Sequence, residues 1–193
     1  METIKYLNEF GLDKLQQELG IKVSQNENYP DLYVLNYDQI KSPKYHPIVI
    51  ECRSLVVRLE GDEYFVESRS FDRFFNYGEI EGQPDDVENM VAYQKIDGSL
   101  VSVWKNEKYG WLYRTRSMIM PSVEVCINGY KLSWKELIES VINFDKLEEI
   151  PIIDHTYIFE VVSPENRVVT PYSQREAFLL SIRSNIDGNY RKR

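Results

Sequence analysis

The chain opens on a helical pattern. Ile4, Leu7, Leu12, Leu15 and Leu19 recur at roughly helical spacing, and Gly20 stands where a left-handed residue ends a helix. Gly11 falls inside the pattern and argues against a single unbroken helix. From residue 32 the texture changes to short runs rich in Val, Ile, Tyr and Trp, punctuated by Gly, Pro, Asn or Asp. Residues 32–37, 47–59, 64–69, 91–95, 100–105 and 111–116 read as strands. A second helix is expected over 133–149, with Ser133 as N-cap and Glu136 three positions on as its capping-box partner. Strands return at 156–163, 167–170 and 177–183. Helix, many strands, helix, strands is the order of an α+β domain on antiparallel sheet, not of an alternating parallel one.

The length, 193 residues, suits one sizeable core, so residues 1–193 are expected to form a single domain. With 23 basic against 31 acidic side chains the net charge is −8. That argues against a protein that coats nucleic acid through its overall field, and leaves room for a local basic groove. Five acids and no base (Glu79, Glu81, Asp85, Asp86, Glu88) predict a solvated loop. Cys52 and Cys126 are too few for a disulfide framework or a zinc finger, and each reads as a buried small hydrophobe in a reducing compartment. His46 and His155 belong to no ligand-spaced cluster. No glycine-rich phosphate loop, signal core or membrane-length apolar run is present, so a soluble cytoplasmic protein is expected.

One segment carries candidate chemistry: Lys95-Ile96-Asp97-Gly98-Ser99, set between two strand-like runs. Alone it is a hairpin signal, since Asp-Gly between strands favours a tight turn. Upstream lie Glu51-Cys52-Arg53-Ser54 and the stretch Ser68-Arg69-Ser70-Phe71-Asp72-Arg73-Phe74-Phe75-Asn76. Downstream come Arg114-Thr115-Arg116 and Phe159-Glu160-Val161-Val162-Ser163-Pro164-Glu165-Asn166-Arg167. With these segments in this order, the sequence resembles the N-terminal domain of the RNA ligase 1 family of T-even phages. That family belongs to the covalent nucleotidyltransferases, with DNA ligases and mRNA capping enzymes. The resemblance is clearest over residues 35–183. Lys-x-Asp-Gly is common to the superfamily, whereas the Glu-Cys-Arg and Arg-Phe-Phe-Asn segments point to this family.

The resemblance implies an α+β, antiparallel-sheet nucleotidyltransferase (ATP-grasp-like ligase) domain with flanking helices. It implies ATP and Mg²⁺ as cofactors, and RNA ends such as nicked tRNA as partners, in RNA repair inside an infected bacterium. Lys95 matches the nucleophile that attacks the α-phosphorus of ATP and is left carrying AMP. A free lysine has pKa ≈ 10.4 and the attack needs a neutral amine, so nearby cations and desolvation are expected to lower it. Arg53, Arg73 and Arg116 match nucleotide- or phosphate-contacting positions, the last two standing where lysine is expected. Gly98 would let the backbone approach the nucleotide. Phe75 matches an essential aromatic, and Tyr37 aligns across a gap with a nucleotide-contacting tyrosine. Glu160 matches a glutamate near the ribose or the metal-bound phosphates and is the candidate metal ligand.

Without the resemblance, Arg53 and Arg69 read as surface ion-pair partners, Phe74 and Phe75 as core, and Glu160 as a strand-edge charge. Family elements expected after Arg183, a Glu-Gly strand and a lysine pair, lie outside these residues, as does a tRNA-engaging domain. The expectation is therefore an adenylation domain, apparently truncated, with a missing C-terminal half as a partner in trans. The alternatives are a catalytically incomplete fragment that binds ATP or an RNA end, and a nucleotidyltransferase of the DNA ligase or capping type.

Overall fold

The computed structural model describes residues 1–79, 87–91, 93–121, 124–127, 130–149 and 153–191, with backbone alone at 87, 124–127 and 130–131. Helix α1 (Glu2–Leu19) buries Leu7, Leu15 and Leu19. Gly11, at φ 80 and ψ 175, breaks it, and Gly20 ends it at φ 62 with its N–H on the Gln16 carbonyl. Strands β1 (Ile21–Gln25) and β2 (Leu32–Tyr37), a short helix α2 (Pro47–Glu51), then β3 (Arg53–Glu60) and β4 (Glu63–Ser68) follow. The four strands form one antiparallel sheet in chain order.

The second half supplies β5 (Ser99–Asn106), β6 (Gly110–Arg114), the hairpin β7 (Glu124–Ile127) and β8 (Tyr130–Ser133), and helices α3 (Trp134–Val141) and α4 (Phe144–Glu148). Strands β9 (His155–Val162) and β10 (Glu176–Ser184) complete a second antiparallel sheet in the order β10-β9-β5-β6.

Alternation along the strands stacks these elements in four layers. Leu35, Leu55 and Val57 pack on Leu7, Leu15 and Leu19 of α1 and on Ile48 and Val49 of α2. From the opposite face of the first sheet, Leu32, Val34 and Val56 meet Trp104 and Leu112 of the second. The far face of the second sheet, with Val101, Val103, Tyr113, Tyr157, Phe159 and Val161, is covered by Leu137, Ile138, Ile142 and Leu147. Residues on the faces between the sheets, beyond the apolar cluster, are free to build a site.

The α+β class and most strands are as the sequence predicts. The stretch 47–59 is not one strand: α2 occupies its start, with Pro47 in the first turn and the His46 ring accepting the Ile48 N–H at 3.3 Å. A short apolar run reads equally well as buried strand or buried helix, and here the proline and cap decide. The stretches 91–95 and 167–170 form no ladder among the described residues, while β1, β7 and β8 were not foreseen. The predicted second helix keeps its Ser133–Glu136 capping box but breaks at Ile142, and Asn143 caps α4 by accepting the Lys146 N–H at 3.0 Å.

Most of the predicted acidic loop, residues 80–86, lies outside the described residues, as does the Cys126 side chain. Cys52 is free and buried, its thiol pushed up to about 12 by burial. Among the described residues the His46 and His155 rings make local bonds, His155 to the Ile153 carbonyl at 2.7 Å. No helix of the described residues is long and apolar enough to cross a membrane.

Candidate active site

A bulge in β3 starts the site. Leu35 pairs with Leu55, but the next residue, Asn36, pairs with Arg53, so Ser54 is the extra residue, at φ 56. In a regular strand Arg53 would share the α1 face with Leu55. The inserted residue reverses that and turns Arg53 to the side between the sheets. Asn36 holds the bulge: its Oδ1 accepts both the backbone N–H and the hydroxyl of Ser54, each at 3.0 Å. Its Nδ2 donates to the Arg116 carbonyl at 2.8 Å, so one buried amide sets two arginine-bearing segments.

Arg53 and Arg116 line a cleft of about 440 Å³ between the sheets, with Tyr37, Ser99, Leu100 and Trp134. Tyr37 and Arg116 also border a wider depression of about 690 Å³ beside β1. The first cleft reaches Ser99, next to the Lys95–Gly98 segment, and is the better candidate for chemistry. The Arg73 guanidinium lies 4.3 Å from the Tyr37 ring centre and that of Arg116 at 5.6 Å. Arg53 stands 4.5 Å over the Phe74 ring. Among the described residues no carboxylate forms an ion pair with Arg53, Arg73, Arg114 or Arg116, although the chain carries a net charge of −8. One buried N–H nitrogen on Arg53, one on Arg73 and two on Arg114 have no hydrogen-bond partner there. Unpaired buried guanidinium groups are costly unless an anion joins them.

Arg73 is placed from a distance. Its backbone N–H donates to the Ile50 carbonyl at 2.9 Å, and its neighbour Asp72 is gripped by Arg183 at 2.7 and 3.0 Å and by Arg69 at 3.1 Å. Arg183 is 3% exposed and Asp72 half-buried, so this bidentate pair is an anchor rooted in the interior on its arginine side. Thr156 and Asn185 join the two sheets beside it, both accepting the Arg69 N–H.

Lys95 lies on an extended segment before β5, its side chain 83% exposed and paired with Asp97. The hydrogen bond to Asp97 pushes the Lys95 amine up, so the expected lowering by neighbouring cations is not present in this state. Asp97 is fixed in turn: its N–H donates to the Tyr172 hydroxyl at 3.2 Å, and Thr170 donates to its carboxylate at 3.3 Å. Glu160 on β9 accepts the Gly98 N–H at 2.9 Å. Burial raises the Glu160 carboxyl, while that N–H and the charges of Lys95 and Arg53 oppose the rise. Glu160 thus lies within electrostatic reach of both the lysine and the arginine cleft.

Gly98 has a reason the sequence did not reveal. A Cβ there would enter the shell of the Val161 carbonyl oxygen and stand 2.7 Å from Val162 Cγ1. Glycine is required because β9 is in the way, whatever binds on the open side.

The structure therefore places Tyr37, Arg53 and Arg116 on one cleft, sets Arg73 against the Tyr37 ring, and joins Lys95, Gly98 and Glu160 beside it. Phe75 is half-buried, 5.4 Å from the Tyr45 ring and 5.5 Å from the Arg73 guanidinium, while Phe74 is exposed against Arg53. Both aromatics touch the arginines, so neither is plain core. Arg53 is no surface ion-pair residue; Arg69 is paired with Asp72, half-buried. Sequence reasoning missed Asn36, Arg114 and Asp97. Asp97 and Arg114 stood inside quoted segments, Lys-x-Asp-Gly and Arg114-Thr115-Arg116, without being singled out, and Asn36 left no signal.

Comparison with known proteins supplies a family and a fold. The family model described as RNA ligase matches residues 51–193. A protein of Autographa californica nuclear polyhedrosis virus, named bifunctional polynucleotide kinase/RNA ligase, is 32% identical over 93% of this chain and 28% of its own length. An RNA ligase of Rhodothermus phage RM378 is 28% identical over 94% of this chain and 48% of its own. The chain thus spans half or less of the curated relatives it matches. Two solved forms of an archaeal ATP-dependent RNA ligase superpose with TM-scores of 0.60 and 0.53 over 98% and 92% of this chain. They cover 48% and 47% of those structures at 14% identity, which speaks for the nucleotidyltransferase fold alone. By the extent of the family match, the chain belongs to the RNA ligase family.

Proposed function

We propose that this chain is the adenylation domain of an ATP-dependent RNA ligase, with Lys95 as its nucleophile. The observation that carries the reading is a cleft bearing Arg53 and Arg116, with Arg73 against its Tyr37, beside an exposed lysine; Arg53 and Arg73 each keep a buried N–H nitrogen with no partner among the described residues. A polyphosphate supplies the missing acceptors, since guanidinium forks match phosphate oxygens. In the first step the Lys95 lone pair attacks the α-phosphorus of ATP, the Nζ–P bond forms, and the α–β bridging P–O bond breaks to release pyrophosphate. The amine proton must leave, and Asp97, already bonded to Nζ, stands in place to take it. Next, an oxygen of an RNA 5′-phosphate attacks the AMP phosphorus and Lys95 departs with a proton. A 3′-hydroxyl then attacks the activated 5′-phosphate and AMP leaves. The tyrosine and aromatic rings flanking Arg53 and Arg73 offer stacking surface for a base.

The donor set suits Mg²⁺ held largely by substrate. No group of three or more His, Cys, Asp or Glu able to hold a metal occurs among the described residues. Glu160 keeps one carboxylate oxygen clear of the Gly98 N–H, and a single carboxylate plus phosphates is a usual Mg²⁺ arrangement. The metal, when bound, would neutralise charge on the phosphates.

One observation favours a second reading, a chain that binds ATP or an RNA end without forming the adduct: the hydrogen bond to Asp97 raises the Lys95 amine where the attack needs it lowered. Intact mass after incubation with ATP and Mg²⁺, beside GTP and Lys95→Ala, separates the two. A shift of one AMP, seen with ATP and lost in Lys95→Ala, supports the ligase reading. Because Lys95 is exposed, that variant should melt as the wild type does. Stabilisation by ATP with no added mass would leave the binding reading standing.

A further inference from the structure

Arg114 is the residue that the proposed chemistry leaves unexplained. It closes β6 on the face it shares with Leu112, between the sheets, and is 1% exposed. Its Nε and Nη2 have no partner among the described residues, and Nη1 reaches only the neighbouring Thr115 carbonyl at 3.4 Å. Directly across the ladder stands Ser102, also 1% exposed, whose hydroxyl is likewise unpartnered. No carboxylate of the described residues pairs with it, and the charge it senses is the like charge of Arg53. Burial and Arg53 pull Arg114 down to about 9, which leaves it cationic at neutral pH.

A buried guanidinium without a partner destabilises a fold, and an apolar side chain of similar volume would serve packing better. An anion brought in by a ligand would offset that cost. Arg114 is too enclosed to touch a ligand itself. Its charge lies next to Thr115 and Arg116, which line the cleft, and acts on Arg53 across it. Being buried, it is poorly screened by salt and adds positive potential there.

Resting on the adenylation reading above, we infer that Arg114 is a positioning residue for polyphosphate: a buried cation beside the cleft lining that draws the phosphates of the nucleotide to Arg53 and Arg116. The fold is less stable for it until that anion arrives.

Two variants test this by an opposition of signs that a structural role does not produce. Arg114→Met should raise the melting temperature of the free protein, by about 5 °C. It should weaken ATP and inorganic tripolyphosphate about tenfold, a ratio that persists at high salt because the charge is buried. Adenosine binding should not change. Ser102→Asp, which sets a carboxylate opposite Arg114 in the ladder, should act the same way by neutralising the charge in place. Calorimetric titration with the three probes and thermal melts of wild type and both variants read these quantities. A variant that melts lower and binds tripolyphosphate as tightly as wild type overturns the inference. So does equal weakening of adenosine and tripolyphosphate. If the wild type binds neither ATP nor tripolyphosphate, the adenylation reading itself falls, a result distinct from unchanged binding in the variants.

Discussion

Asn36→Ala is the sharpest test of how the cleft is built. The side chain makes three hydrogen bonds, two from Ser54 at 3.0 Å and one to the Arg116 carbonyl at 2.8 Å, and is 7% exposed. Removing it leaves the N–H and hydroxyl of Ser54 buried with no acceptor, at the point where the backbone is already at φ 56. A buried donor left unpaired costs about 1–3 kcal/mol. The Ser54 hydroxyl can rotate and the Arg116 carbonyl lies in an exposed segment where water reaches it. The sum is therefore about 3 kcal/mol, and a chain of this size loses roughly 2–4 °C of melting temperature per kcal/mol. The expected fall is about 6–12 °C. Binding should suffer separately, because both Arg53 and Arg116 hang on this amide, and ATP affinity should drop about tenfold or more. Differential scanning calorimetry and ATP titration of the folded variant below its transition read the two effects. A melt within about 2 °C of wild type would refute the bookkeeping that makes Asn36 the keystone of the bulge. A large fall with unchanged ATP affinity would refute the link from bulge to site.

Two further outcomes are expected. Glu160→Gln should abolish the AMP adduct while sparing the fold, since the amide oxygen can still accept the Gly98 N–H. Burial raises the Glu160 carboxyl in the native state, so the native state binds the proton more tightly and wild type loses stability as pH rises through that range. The glutamine variant has no such loss, so its advantage in melting temperature at pH 7.5 should shrink as pH is lowered toward the carboxylate range. Gly98→Ala should lower stability by about 1–3 kcal/mol, because its Cβ forces the loop off Val161 and Val162. It should also lose the adduct, as the Glu160 contact opens, and a melt like that of the wild type would contradict this.

What could be read from the sequence was what local chemistry announces. The Ser133–Glu136 capping box, the left-handed Gly20 and the break at Gly11 each follow from one residue's conformational preference, and each is present. Lys95 was legible because its neighbours Asp97 and Gly98 form a short contiguous pattern, and Arg53 because it sits in Glu-Cys-Arg. Helix α2 was hidden, since Pro-Ile-Val-Ile suits a buried strand as well as a buried turn of helix. Asn36 and Arg114 were hidden for a different reason. A polar residue in an alternating strand reads as facing water, and only the pairing of two sheets shows that this face is enclosed. The bulge at Ser54 changes the face Arg53 presents without leaving any mark on composition or period.

The Asp72–Arg183 contact ties two residues 111 positions apart. Contacts of such separation form late, because the intervening loop must close before they reward the chain. During synthesis, the first sheet and its helices can condense around their own apolar cluster as soon as β4 has emerged. The Phe71–Phe75 strip cannot be moored then, because its counter-charge is still unmade. The cleft is thus completed after the first sheet and its helices have formed. A ribosome-bound chain would carry a finished hydrophobic half and an unfinished grip, and would not engage nucleotide before β10 swings into its sheet.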